Sequence, residues 1–308
     1  MSKILIFGHQ SPDTDAITSA ITFSHLQNEL GKETEPVALG KTTAETQFAL
    51  DYFAVEAPRV IATAADETLE VMLVDHNEAQ QSVSDIDKVK VLAVVDHHRI
   101  ANFQTANPLY YRAEPVGCTN TIILKLYKEN SVEVPKHIAG LMLSAIISDT
   151  LLFKSPTCTA EDEKAAKELA KIADIDIEAY GKDLLKAGAD TSSKNADQIL
   201  NDDAKNFPMG GLTVRIGQVN VVDVDEILER KQELLDEMAA QSESNKLDLF
   251  ILVTTNVLES DSVALVYGEE KAQVAKAFNK EMKDDTLYLE GVVSRKKQVV
   301  PQLTEQFS

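Results

Sequence analysis

Cysteine is scarce in this chain of 308 residues: Cys118 and Cys158 are the two present, far apart and in no CxxC spacing. A disulfide framework is therefore not expected, and both thiols read as free in a reducing compartment. Long apolar runs are missing as well. The opening MSKILIFGH carries no basic region followed by an apolar stretch and a small-residue cleavage site, so neither a membrane span nor a secretory signal is readable. The expected location is cytoplasmic. Basic residues are in deficit, 30 Lys and Arg against 50 Asp and Glu, and the net charge is −20. Such a field repels DNA, RNA and anionic lipid, which disfavours nucleic-acid and membrane partners. A small anionic substrate remains admissible where cations gather locally. No internal repeat and no low-complexity tract is evident.

What is present is the composition of a folded protein, 44% hydrophobic and 26% charged, with a length that suggests two domains. In the first half, short apolar runs alternate with helical patterns, the signature of a doubly wound, mainly parallel α/β sheet. KILIF at 3–7, VMLV at 71–74 and VLAVV at 91–95 read as central strands buried on both faces. Ile17, Ala20, Ile21 and Leu30 mark a crossover helix closed by Gly31. Further helices are expected near 118–129, 135–147, 160–173 and 176–187. The polar stretch GADTSSKNAD at 188–197 then reads as a linker. This gives a domain at 1–188, a linker at 189–195 and a smaller mixed-sheet α/β domain at 196–308. In the second domain, strands are expected at 212–222, 249–255, 263–268 and 286–293, and helices at 223–243 and 270–282.

The three apolar runs of the first half end in the same chemistry: Gly8-His9, Asp75-His76 and Asp96-His97-His98. Carboxyl ends of parallel strands face the ligand crevice, so these groups can converge. Asp13 and Asp15 follow His9, with Asp13 a candidate helix cap. Asp149 falls at the C-terminal end of a helix, where the dipole opposes a carboxylate and a cation would compensate. Asp13, Asp15, Asp75 and Asp149 gathered about 4–5 Å apart would repel by about 3–4 kcal/mol per pair at an effective dielectric near 20. Two divalent ions neutralise that set and leave His9 and His97 as neutral nitrogen ligands, with Asp75 the expected bridge. Oxygen-rich donors with two imidazoles and no thiolate suit manganese, with cobalt or magnesium as alternatives. Asp96 is a candidate either for orienting an imidazole by a hydrogen bond or for ligating directly, and His76 is a candidate for orienting. His25 and His137 lie inside helical patterns and read as structural. Cations for an anionic substrate appear at Ser294-Arg295-Lys296-Lys297-Gln298, with Lys205 a further candidate.

GHQSPDTDA at 8–16, VDH at 74–76, DHH at 96–98, SDT at 148–150 and SRKKQ at 294–298 together resemble the manganese-dependent family II inorganic pyrophosphatases, members of the DHH phosphoesterases. The resemblance runs the whole length, in the family's motif order. It implies His9, Asp13 and Asp75 on one metal and Asp15, Asp75, His97 and Asp149 on the other. It further implies His98 beside the substrate as proton donor or orienting group, and Lys205, Arg295 and Lys296 as a phosphate clamp. The active site is expected in the cleft between the two domains, in a homodimer formed through the N-terminal one. The implied reaction is hydrolysis of pyrophosphate to two orthophosphates by a metal-bridging water, with Mg2+ arriving on the substrate and Co2+ an alternative to Mn2+. Two rivals are weighed: a nuclease or polyphosphatase with the same centre, and a non-catalytic metal or nucleotide sensor. Gly210-Gly211 followed by Leu212 departs from the GGGH-type motif of the DHH nucleases and exopolyphosphatases.

Overall fold

Runs of apolar residues without alternation pack both of their faces, and in a computed structural model of the chain the three such runs of the first half lie side by side at the middle of one sheet. The structure describes residues 3–192 and 194–308. Met1 and Ser2 of the N-terminal segment, and Ser193 of the expected linker, lie outside them. The chain divides into one unit ending at Ala187 and another beginning at Gly188.

The first sheet comprises β1 (Ile4–Phe7), β2 (Thr34–Pro36), β3 (Glu70–Val74), β4 (Lys90–Asp96) and β5 (Tyr110–Ala113), in the order β2-β1-β3-β4-β5. Every pairing is parallel. The helices of this unit are α1 (Thr14–Glu29), α2 (Ala44–Tyr52), α3 (Thr119–Glu129), α4 (Lys136–Thr150), α5 (Ala160–Ala173) and α6 (Ile177–Gly188). From β1 the chain passes outward to β2 and then returns across β1 to β3, so the order reverses between β1 and β3. That switch point opens a crevice at the strands' carboxyl ends.

Asp13 caps α1, its carboxylate accepting from Ala16 N at 2.9 Å. Gly31, one place beyond the cap residue Leu30, takes the left-handed conformation (φ +83°) that ends the helix. Thirteen of the sixteen α1 residues are buried, because the helix lies among β1, α3 and α4. Gly8 makes that approach possible, since a Cβ there would stand 2.6 Å from Ala16 Cβ and 2.7 Å from its Cα.

The second unit is built on a mixed sheet of β6 (Ala204–Met209), β7 (Leu212–Val221), β8 (Leu249–Asn256), β9 (Asp261–Gly268) and β10 (Thr286–Leu289), ordered β10-β9-β8-β7-β6. Only the β7–β8 pair is parallel among its described pairings. Its helices are α7 (Ala196–Asn201), α8 (Asp225–Glu229), α9 (Lys231–Asn245), α10 (Lys271–Ala277) and α11 (Val300–Phe307). Side chains of a strand alternate between faces, and here both faces carry a core. Leu249, Ile251 and Val253 of β8 join Val274 of α10 and Leu303 of α11 on one side. Phe250 and Leu252 join Ile199, Ile227, Leu234 and Met238 of α7, α8 and α9 on the other.

Several elements differ from the sequence expectation. The helix expected over 223–243 is two helices that meet at Arg230. The strand expected over 286–293 stops at Leu289, where Gly291 (φ +68°) turns the chain. Arg295–Val299 consequently form a wide helical turn leading into α11 rather than a strand end. No helix among the described residues is long and apolar enough to cross a membrane.

Candidate metal centre

Strand ends, one helix start and one helix end deliver the donors. His9 lies two residues beyond the end of β1, Asp75 immediately follows β3, and His97 follows β4. Asp13 caps α1 and Asp15 sits in its first turn, while Asp149 is the penultimate residue of α4. Donor atoms gather within 4.8 Å of one another in three groups: His9, Asp13 and Asp75; Asp15, His97 and Asp149; and Asp75, His97 and His98. Asp75 and His97 each belong to two of the groups. All six residues expected as ligands are therefore brought together, and His98 stands beside them.

Hydrogen bonds aim the imidazoles. His9 Nδ1 meets Gln10 O at 2.8 Å and His97 Nδ1 meets Val116 O at 3.0 Å. A carbonyl partner fixes the proton on Nδ1 and turns Nε2 inward as a ligand. Nε2 of His9 lies 3.5 Å from carboxylate oxygens of both Asp13 and Asp75, and Nε2 of His97 lies 3.4 Å from Asp75 Oδ1. Asp75 is 1% exposed and has a left-handed backbone (φ +56°), one that aspartate tolerates better than most residues.

The protonation of these groups records how crowded the charges are. Burial alone would push His97 down, but the Asp75 carboxylate outweighs it and carries the ring up to about 9. His9 is raised in the same way, burial being overcome by Asp13 and Asp75. Burial and then the charge of Asp75 push Asp15 up to about 6. Burial, with Asp15, Asp13 and Asp75 adding, drives Asp149 well above the carboxylate range. Asp75 itself stays well below it despite burial, held by His9 and His97. Protons are thus retained where full ionisation would leave acids facing acids, and a dication can take their place. Carboxylate oxygens and neutral imidazoles fit such an ion. Cys118 offers no thiolate, because burial and the charges of Asp15 and Asp149 push its thiol well up.

The surrounding donors were not signalled by the motifs. The start of α3 turns its backbone amides on Asp15: Thr119 N donates to Oδ2 at 2.7 Å and Asn120 N to Oδ1 at 3.3 Å. Asn120 Nδ2 donates to the same Oδ1 at 2.8 Å, and Thr119 Oγ1 donates to Asp75 Oδ1 at 2.9 Å. The one available signal was a small polar Thr-Asn pair opening an apolar helix. Asp96 Oδ1 meets the His98 ring Nδ1 at 2.9 Å and so orients that imidazole. His76 is buried with Nδ1 on Val74 O at 2.9 Å, and burial pushes it down to about 4. It orients no ligand among the described contacts. His25 bonds the Tyr127 hydroxyl at 2.8 Å and packs near His137, in keeping with structural roles.

The expected cations all lie in the second unit. Arg295 is buried, with Nη1 donating to Asp203 O at 2.5 Å and Ile216 O at 3.2 Å, and Nη2 to Asp203 Oδ1 at 2.7 Å. Lys205 on β6 is exposed and pairs in register with Ile216, so it shares one end of this sheet with Arg295. Lys296 is exposed on the wide turn.

Residues 3–146 match the DHH family, N-terminal domain, and residues 182–306 match the DHHA2 domain. A parallel sheet bearing acid and histidine donors at its strand ends, followed by a mixed sheet of the DHHA2 type, defines a two-domain DHH protein. The manganese-dependent inorganic pyrophosphatase of Bacillus subtilis is 59% identical over 305 residues, spanning 99% of both chains. A relative in Enterococcus faecalis, named a probable manganese-dependent inorganic pyrophosphatase, is 64% identical over 308 residues and all of both chains. The crystal structure of a Methanococcus jannaschii protein, put forward as a family II inorganic pyrophosphatase, superposes with a TM-score of 0.83 at 40% identity over 98% of each chain. The chain belongs to the manganese-dependent, family II inorganic pyrophosphatases.

Proposed function

We propose that this protein hydrolyses inorganic pyrophosphate to two orthophosphates at a dinuclear manganese centre, with water as the nucleophile. His9, Asp13 and Asp75 hold one ion, and Asp15, Asp75, His97 and Asp149 hold the other, so that Asp75 is shared. Bound manganese supplies positive charge that lowers the pKa of water and polarises the phosphoryl group. The observation that carries this reading is the meeting of six oxygen and nitrogen donors at the β1–β3 switch point, in two groups of three.

The protein's own side chains do the rest. His98 stands beside Asp75 and His97, with its ring Nδ1 on Asp96, and it donates a proton to the substrate or orients it. Arg295, Lys296 and Lys205 hold phosphate oxygens and meet the charge that grows on the leaving group. Magnesium accompanies the pyrophosphate, and cobalt substitutes for manganese. We assign residues 1–188 to metal binding, 189–195 to a linker and 196–308 to clamping the substrate. The functional form is a cytoplasmic homodimer joined through its N-terminal domain, with no nucleic-acid or membrane partner.

The test is orthophosphate release from pyrophosphate before and after chelation, with manganese, cobalt, zinc or magnesium restored in turn. Release should vanish on chelation and return best with manganese. Equal turnover of oligonucleotides or longer polyphosphate would replace this reading with a broader phosphoesterase, and no release above background would make the centre a sensor.

A further inference from the structure

Asp162, the third residue of α5, lies outside every motif that carries the family resemblance, and it is fully buried. Four neutral donors converge on its carboxylate. Gly117 N and Thr159 N each reach Oδ2 at 2.8 Å, Thr159 Oγ1 reaches Oδ2 at 2.6 Å, and Thr121 Oγ1 reaches Oδ1 at 2.6 Å. The bond from Thr159 N, with Asp162 N donating back to Thr159 Oγ1 at 3.4 Å, makes a capping box for α5. A capping box is complete on a helix surface. It does not require a carboxylate sunk beneath the surface, nor donors drawn from a loop forty-five residues away and from a second helix.

Each of the three segments tied to Asp162 ends on a member of one metal group. Gly117 follows Val116, whose carbonyl meets His97 Nδ1. Thr121 lies in the first turn of α3, whose Thr119 and Asn120 hold Asp15. Thr159 closes the segment after α4, in which Thr157 Oγ1 donates to Asp149 O at 3.3 Å and Ser155 N to Thr150 O at 2.9 Å. Asp15, His97 and Asp149 are the three members of that group. Asp75, common to both sites, is reached through Thr119 Oγ1 of the same α3 turn, whereas His9 and Asp13 have no such tie to Asp162 among the described contacts.

We infer that Asp162 is a positioning residue for the Asp15–His97–Asp149 metal site, setting the geometry of that site rather than of its neighbour. The inference rests on the dinuclear reading above. Charge on Asp162 is held by four hydrogen bonds and the N-terminus of α5, so it stays in place without a cation. Gly117 shows how close the contact is: a Cβ there would stand 2.8 Å from Asp162 Oδ2.

The experiment is manganese titration of the full-length, chelator-stripped protein by calorimetry, with circular dichroism to verify folding. Wild type should bind two ions tightly. Asp162→Ala should keep one tight site and weaken the other about 10- to 100-fold, the range seen when outer partners of metal ligands are removed. Asp162→Asn should recover most of the loss, since its amide oxygen can accept from Gly117 and Thr159 while its NH2 turns to Thr121. Gly117→Ala, whose methyl would stand 2.8 Å from Asp162 Oδ2 while both capping residues, Thr159 and Asp162, are retained, should reproduce the selective loss even if Asp162→Ala does not fold. Two sites of wild-type affinity in a folded variant, or equal weakening of both, would overturn the inference. Fewer than two ions on wild type would instead overturn the dinuclear reading, and this inference with it.

Discussion

Asn77 Nδ2 donates to Asp96 Oδ2 at 2.6 Å, and the other oxygen of Asp96 receives both the His98 backbone N–H at 3.0 Å and its ring Nδ1 at 2.9 Å. Asp96 is fully buried, whereas the His98 side chain is 37% exposed. One carboxylate thus fixes an imidazole that would otherwise be free to rotate. His98→Gln is expected to lower kcat by roughly 100-fold or more, as loss of a positioned proton donor does, and to leave bound manganese at the wild-type level. Metal analysis of the purified variant checks this. Loss of an ion would make His98 a ligand, a role open to it through the group it forms with Asp75 and His97.

The metal-free protein should lose stability as pH rises from 6.5 to 9. His97 has a folded pKa raised to about 9, so its contribution is complete below the unfolded value near 6.5 and is lost as pH passes through 9. His9 and Asp149, both raised in the fold, act with the same sign. His76, pushed down to about 4, has already reached its full contribution by pH 6.5. Thermal midpoints of chelated protein should therefore fall by several degrees across this window, and saturating manganese should flatten the trend. A midpoint that rises with pH in the chelated protein contradicts this charge balance.

Gly8→Ala should be strongly destabilising. The added methyl meets the backbone and Cβ of Ala16 at 2.6–2.8 Å, and neither β1 nor the buried α1 can withdraw without disturbing its own packing. Overpacking of this kind costs roughly 1–3 kcal/mol, and the displaced helix start carries Asp13 and Asp15. Denaturant unfolding should register the loss, with weaker manganese binding in the fraction that folds.

Arg295→Lys should fail to replace arginine. The guanidinium spans Asp203 and Ile216 O with a planar fork, and an ammonium cannot make those bonds together. The KM for pyrophosphate is expected to rise at least tenfold, with kcat reduced as well, while manganese content stays unchanged. Steady-state kinetics on the lysine variant at saturating manganese provide the measurement.

His9, Asp75 and His97 were legible in the sequence because each follows an apolar run that ends abruptly in acid or histidine. A parallel sheet has one place for such ends to go. Less legible were the short edge elements. β2 has three residues, and β5, YYRA, has partly exposed side chains on both faces, so neither carries a hydrophobic signature. β6 opens in the polar segment AKN and contains Pro208, a residue confined to sheet edges. The support around the ligands was hidden for another reason. Asn120, Asn77 and Asp162 act through contacts 19 to 105 residues away in sequence, and no local spacing encodes such distances.

All six candidate metal donors come from the unit that ends at Ala187, and the three candidate phosphate-binding cations come from the unit that begins at Gly188. The residues expected to set ion preference and those expected to set substrate reach are therefore written in separate halves of the gene, where each set can be varied by itself.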